Sequence, residues 1–231
     1  MRLITYGCSY TYGQWLETED MKGLGLSPPA SAWPSQLAKL LGWELDNRAV
    51  PGSSNKQIWY TILQNTHKPD DRIVVHWSHI ERSCILHQDR IEKIGPWRKG
   101  VSEQYYRYCY SDWDTNCDSN MRISHAMDTL NRQAIPSWHC PPPEDVIPDC
   151  QVPATRRELA GFSNHSTEIQ LRKQAERLIS TTSRGLAIKV PFNVFTPGFE
   201  RQEFADLALD NLHPGKGCHE WLAKKLVDFV R

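Results

Sequence analysis

The chain has 231 residues, 39% hydrophobic and 23% charged, enough to bury one sizeable core and too few for two independent ones. Its 27 Lys plus Arg balance 27 Asp plus Glu, so no net positive field is available for a polyphosphate or an anionic membrane, and nucleic acid is not an expected partner. The opening Met1-Arg2-Leu3-Ile4-Thr5-Tyr6-Gly7 lacks the apolar stretch and cleavage site of a secretory signal, and no apolar run reaches membrane-spanning length, so a cytoplasmic protein without a membrane partner is expected.

Arg2 to Tyr6 is a short apolar run stopping at Gly7, the form of a buried first strand. After a Gly/Pro/Ser-rich loop from Met21 to Ser31, the segment Trp33 to Gly42 has apolar residues at helical spacing, with Pro34 near its start and Gly at its end. Glu44 to Ala49 reads as a second strand and Asn55 to Gln64 as a second helix. Arg72 to Trp77 reads as a buried third strand after the Pro69-Asp70-Asp71 turn. From Leu86 to Pro153 the rhythm is lost: Trp97, Tyr105, Tyr106, Tyr108, Tyr110, Trp113 and Trp138 sit among polar residues and a Pro141-Pro142-Pro143 run. An irregular insertion of about residues 86–160 is predicted over the sheet, its aromatics mostly forming a small core of their own and one or two reaching a pocket rim.

Helical spacing returns over Glu168 to Ile179, a strand is predicted over Leu186 to Val190, and Trp221 to Val230 closes the chain as an amphipathic helix with Leu222, Leu226, Phe229 and Val230 inward. Strands alternating with helices predict one α/β domain spanning residues 1–231, with a parallel sheet covered on both faces. The seven cysteines are odd in number, irregularly spaced and form no CxxC, which fits reduced thiols. Cys109, Cys117, His139, Cys140 and Cys150 share a segment, but no pair has the spacing of a zinc finger.

Three segments carry chemistry. Gly7-Cys8-Ser9-Tyr10-Thr11-Tyr12-Gly13 ends the first strand in a glycine-flanked turn, which sets Ser9 at the carboxyl edge of a parallel sheet, the usual ligand side of such folds. Alone, it is equally a turn serine. Asn47-Arg48-Ala49-Val50-Pro51-Gly52-Ser53-Ser54-Asn55 follows the second strand. Gly52 allows close approach of a backbone N–H, and the helix start favours negative charge, while Ser54 or Asn55 can simply cap the helix. Asp210-Asn211-Leu212-His213 precedes the last helix, with a carboxylate and an imidazole close enough in sequence to pair.

Together these blocks resemble the SGNH/GDSL hydrolases: Gly7 to Gly13 is similar to their GDSxxxG block, Asn47 to Gly52 to their second block, and Asp210 to His213 to their DxxH. Trp33-Pro34, Gly52-Ser53-Ser54-Asn55, Trp77-Ser78 with Arg82, His213-Pro214 and His219 look most like SGNH-type proteins of bacteriophages. The resemblance implies a flavodoxin-like three-layer α/β/α sandwich and ester hydrolysis, without metal or organic cofactor, of an acylated carbohydrate or small ester. Ser9 would be the nucleophile, His213 the proton carrier, Asp210 its orienting carboxylate, and the N–H groups of Ser9 and Gly52 the oxyanion donors.

Two positions depart from the pattern. Cys8 replaces the aspartate of GDS, a matter of packing. The third block, normally GxND, reads Trp77-Ser78-His79-Ile80-Glu81-Arg82, so a further oxyanion donor has to come from Ser78, His79, Asn55 or Arg82, or be absent. The rival readings are an inactive SGNH-like module binding a glycan or, in a virion, a protein partner, and an acyltransferase on the same triad. His76 and His79 are expected on one face at the end of the third strand, as pocket lining or satisfied core. His219 is expected to make a structural hydrogen bond, and His125, His139 and His165 to lie at the surface or in loops. Arg156-Arg157 and Arg172-Lys173 read as solvated helix charge.

Overall fold

In the computed structural model, residues 1–17, 28–142, 187–192, 194, 206–210 and 212–230 are described. The first apolar run forms β1 (Arg2–Tyr6), which pairs in parallel with β2 (Glu44–Asn47) on one side and β3 (Asp71–His76) on the other. β6 (Ser137–Cys140) and β7 (Ala187–Lys189) continue the sheet in parallel, giving the order β2-β1-β3-β6-β7. That order reverses direction between β1 and β3, the arrangement of flavodoxin-like folds, in which ligands bind beyond the strand ends at the reversal.

Alternation along the strands assigns the two faces. Leu3 and Val74 point to α2 (Trp33–Leu41) and α6 (Lys216–Val230), where Trp33, Leu37, Leu222 and Leu226 are fully buried. Ile4, Tyr6, Ile73 and Val75 point to α3 (Asn55–Gln64) and α5 (Asp112–Arg132), against Ile58, Ile62, Ile123, Met127 and Leu130. Each such aliphatic side chain taken fully from water contributes roughly 2 kcal/mol, and this two-sided burial holds the three layers together. At the edge, Arg2 grips Asp71 with Nε and Nη2 (2.9 and 2.8 Å) and reaches Asp46 at 3.4 Å, while Arg48 pairs with Asp46 at 2.7 Å.

The predicted irregular insertion needs correction. An antiparallel hairpin of β4 (Ser83–Leu86) and β5 (Ile91–Ile94) leads into it, followed by α4 (Val101–Tyr108), the 21-residue α5 and the core strand β6. The periodicity of α5 is hidden because its inward stripe begins with Thr115 and Ser119 before Ile123, Ala126, Met127 and Leu130. Ser137-Trp138-His139-Cys140 is buried at every position yet has no β-branched residue to mark it as a strand.

His139 is accordingly interior, stacked on Trp77 with ring centroids 5.9 Å apart, and His125 sits on α5 accepting from Trp59 Nε1–H. Trp138 belongs to the main core, Tyr105, Tyr106 and Tyr110 form a local cluster, and Trp97, Tyr108 and Trp113 are exposed. Phe229 is 40% exposed, edge-on to Phe192 at 5.2 Å, while Ala223 joins Leu222, Leu226 and Val230 on the buried side of α6. The described cysteines are free thiols. The predicted helix over Glu168 to Ile179, His165, Cys150 and the two basic pairs lie outside the described residues. No helix among the described residues is long and apolar enough to cross a membrane.

Candidate active site

β1 delivers the chain into a turn with no room for a side chain at its first corner. A Cβ on Gly7 would lie 2.0 Å from Thr11 Oγ1 and 3.0 Å from the His76 carbonyl oxygen, so only glycine lets the turn fold back onto β3. The short helix α1 (Ser9–Tyr12) follows, with the Cys8 carbonyl accepting from Thr11 and Tyr12 and with Gly13 closing it at φ 82°. Ser9, the first helical residue, is only 4% exposed. Its N–H precedes the intrahelical ladder and has no acceptor among the described residues. Cys8 points into the core between the sheet and α2/α6, a packing position.

The loop after β2 is tied to this turn by backbone bonds, Arg48 N–H to Thr5 O (2.8 Å) and Val50 N–H to Gly7 O (3.1 Å). It turns at Gly52 with φ 74°, a left-handed conformation that glycine adopts without a Cβ penalty. The helix cap falls to Ser54, whose Oγ accepts from Gln57 N–H at 3.2 Å. Asn55 is thereby left for another task. Fully buried, it accepts the Ser78 N–H on Oδ1 at 2.7 Å, and its Nδ2 has no partner among the described residues.

Ser78, just beyond β3, also accepts from Arg82 Nη1 at 3.3 Å. β3 ends at His76, so strand alternation does not carry on to His79. His76 is interior, accepting from Val194 N–H at 3.3 Å, and burial with His79 nearby lowers its pKa to about 4. His79 instead meets the Tyr10 hydroxyl at 2.8 Å.

The third segment is held by a residue that the motif reading missed. Asp206 accepts from Gly217 N–H (2.9 Å) and Cys218 N–H (3.0 Å) at the start of α6, and its carbonyl accepts from Gly215 N–H at 2.7 Å. A Leu207–Pro214 bridge and the Ala208 N–H to His213 O bond (2.8 Å) close the loop between, and Leu209 N–H to Trp15 O (3.2 Å) docks it onto the segment after α1. The signal in the sequence was an acidic residue ahead of Gly215-Lys216-Gly217, a carboxylate placed to reach a helix start.

Within this loop His213 Nδ1 lies 2.5 Å from Asp210 Oδ2, while Asp210 Oδ1 accepts the N–H groups of Leu212 and His213 at 3.1 and 3.0 Å. Burial works to raise the Asp210 carboxyl, but these two N–H groups and the imidazole hold it below its ordinary range. Burial lowers the His213 imidazole and the Arg82 charge adds to this, outweighing Asp210, so the ring is neutral at pH 7. The Tyr10 ring, one residue past Ser9, stands edge-on to His213 at 5.3 Å and to His79 at 5.4 Å. Ser9 Oγ makes no hydrogen bond to His213; such contacts commonly tighten only when substrate arrives. His219 has the structural role expected of it, accepting from Trp33 N–H on Nδ1 at 3.0 Å.

The loops after β1, β2 and β3 and the Asp206–Gly215 loop are thus joined around the sheet reversal, by backbone bonds and through Tyr10. No family model matches the sequence, and no curated protein matches it. Solved structures do match its fold. A member of the lipolytic G-D-S-L family from Veillonella parvula superposes with a TM-score of 0.53 at 12% identity, covering 99% of this chain and 97% of that one. An acetylxylan esterase from Geobacillus stearothermophilus gives 0.51 at 13%, covering 99% and 93%. A carbohydrate esterase whose active site is described as having divergent catalytic and non-catalytic binding functions gives 0.55 at 10%, covering 99% and 64%.

Proposed function

We propose that this chain, which has the fold of the SGNH/GDSL hydrolases, is a serine ester hydrolase acting on an acylated carbohydrate or a similar small ester. The observation that carries the reading is the Asp210–His213 pair, held at 2.5 Å in a loop docked on the segment that follows Ser9. Ser9 Oγ attacks the ester carbonyl and passes its proton to His213 Nε2, while Asp210 keeps the proton on Nδ1 and stabilises the imidazolium. Collapse of the tetrahedral adduct expels the alcohol, which takes the proton from Nε2. Water then repeats the sequence on the acyl-serine and releases the acid.

The oxyanion forms at the Ser9 N–H and Gly52 N–H. The third donor is Asn55 Nδ2, since its Oδ1 is committed to Ser78 N–H and its buried NH2 has no partner among the described residues. Asn55 thereby stands in, from the first residue of α3, for the asparagine absent from the third block. Acylated carbohydrate is inferred because two of the fold neighbours are, by their names, a carbohydrate esterase and an acetylxylan esterase. Folded Ser9→Ala is expected to lose p-nitrophenyl acetate hydrolysis by a factor of about 10³ or more; parent-like turnover sinks the mechanism. A second reading, a binding module without turnover, is favoured by the lack of a Ser9–His213 bond. A fluorophosphonate probe decides, because only an activated Ser9 is labelled.

A further inference from the structure

The Gly52 turn is gripped from outside the main sheet. Ser53 N–H donates to Val50 O at 3.0 Å and Gly52 has φ 74°, so Val50-Pro51-Gly52-Ser53 is a type II turn with proline and glycine at its two central positions. The middle peptide of such a turn, Pro51 C=O with Gly52 N–H, has one alternative: rotated by roughly 180° it makes a type I turn, which a proline at this position also permits. The bond is trans, so its carbonyl and its N–H point to opposite sides. Whatever fixes Pro51 O therefore aims the Gly52 N–H, which has no acceptor among the described residues.

Lys93 fixes it. Its Nζ donates to Pro51 O at 2.6 Å, the short distance of a charge-assisted bond. Its stem lies along the turn, since a Cβ on Gly52 would be 3.6 Å from Lys93 Cδ and 3.9 Å from the Trp97 ring. Lys93 is itself anchored. It stands in β5 opposite Cys84 of β4, whose buried thiol rests against Ser54, and its carbonyl accepts from Arg98 Nη1 at 2.9 Å.

The hairpin thus reaches the loop from Pro51 to Ser54 at two points. Burial, and then Arg98, work against the Lys93 charge, and the Pro51 carbonyl is the one partner that Nζ has among the described residues. A half-buried ammonium with no carboxylate to meet it costs the fold desolvation. Its effect falls on the peptide it touches, because a cation on the carbonyl oxygen draws electron density along the amide and strengthens its N–H as a donor.

We infer that Lys93 is a positioning residue for catalysis: through Pro51 O it holds the Pro51–Gly52 peptide in the orientation that points the Gly52 N–H at the oxyanion, and it polarises that donor. The oxyanion in this statement rests on the Ser9 reading above; the grip on the peptide does not.

The grip and its catalytic effect are measured separately. In protein labelled with carbonyl-13C proline and 15N glycine, the three Pro-Gly pairs of the chain give the carbonyl-to-nitrogen correlations. A hydrogen bond to a carbonyl deshields both its carbon and the nitrogen that follows. Lys93→Met keeps the stem and loses the ammonium, so one of the three signals is expected to move upfield in both dimensions while the other two stay in place. On p-nitrophenyl acetate, kcat of Lys93→Met is expected to fall about tenfold with KM within about twofold, since the Gly52 N–H acts on the oxyanion more than on the ground-state carbonyl. Outright loss of such a donor costs about 10²–10³.

Lys93→Arg, which retains a cationic donor, is expected to recover much of kcat and to return the displaced signal towards its place. Where Lys93→Met does not fold, Lys93→Gln, a neutral donor on a shorter stem, replaces it in both measurements. Three unmoved signals, an unchanged kcat or a loss confined to KM overturns the proposal, and parent turnover then leaves the hydrolase reading standing. A displaced signal with no turnover by the parent removes the Ser9 mechanism and leaves the grip on the peptide.

Discussion

His213 decides the pH at which the site works. Its imidazole must be neutral to accept the Ser9 proton, and burial together with Arg82 lowers its pKa below 6.5. The kcat/KM profile on a neutral ester is therefore expected to rise with pH and flatten with an acid limb below 6.5. Arg82→Gln removes a like charge, so the limb moves to higher pH; an unmoved limb would separate Arg82 from the catalytic histidine. At Asn55, replacement by Asp keeps the oxygen that accepts from Ser78 N–H but exchanges the NH2 donor for an acceptor. The expected loss in kcat is about 100-fold or more, with folding checked by circular dichroism, and an unchanged kcat removes the donor role. Ser9, Asp210, His213, Gly52 and Asn55 all stand out in the sequence because each belongs to a short block with its own turn signal. The choice among Ser78, His79, Asn55 and Arg82 did not, because it depends on which group is already engaged: His79 by Tyr10, Ser78 N–H by Asn55, Arg82 Nη1 by Ser78 Oγ, and Asn55 on its oxygen alone.

The loop from Asp206 to Gly215 is the element on which the Asp210–His213 pair depends, and Asp206 fastens it at its base. Asp206→Ala strips two N–H groups of α6 of their acceptor and is expected to cost about 1–2 kcal/mol of stability, read as a lower urea midpoint. A fall in kcat is expected with it, as the Asp210–His213 loop loosens. If stability drops with kcat intact, the loop is rigid without its clasp. At the scale of elements, β1, α2, α3 and the final helix are legible because apolar spacing, a proline near a start or a glycine at an end agree with one another. The region after β3 is not. The inward stripe of α5 opens with two polar residues, and β6 owes its burial to its place between β3 and β7 rather than to its own composition. Reading that stretch as an insertion concealed two pieces of the main core.

For the molecule as a whole, buried neutral histidines set the response to acid. Burial lowers His76 to about 4 and His139 and His219 to about 3, from an ordinary value of 6.5. Below pH 6.5 the unfolded chain takes up protons that the folded one refuses, so the stability these groups contribute is complete above that value and is lost as pH falls towards 4 and 3. Shifts of this size correspond to roughly 3–5 kcal/mol per histidine. The urea midpoint is expected to fall steadily between pH 7 and pH 5; a flat profile would mean that the histidines titrate alike folded and unfolded. Of the two strands that have no neighbour beyond them among the described residues, β2 and β7, β2 is the acidic one. That strand carries Glu44 and Asp46, and Asp46 is tied by Arg2 and Arg48. A second molecule docking there edge to edge would have to bury like charges against like and break those ties, so the acidic strand guards the protein against aggregation as well as ending its sheet.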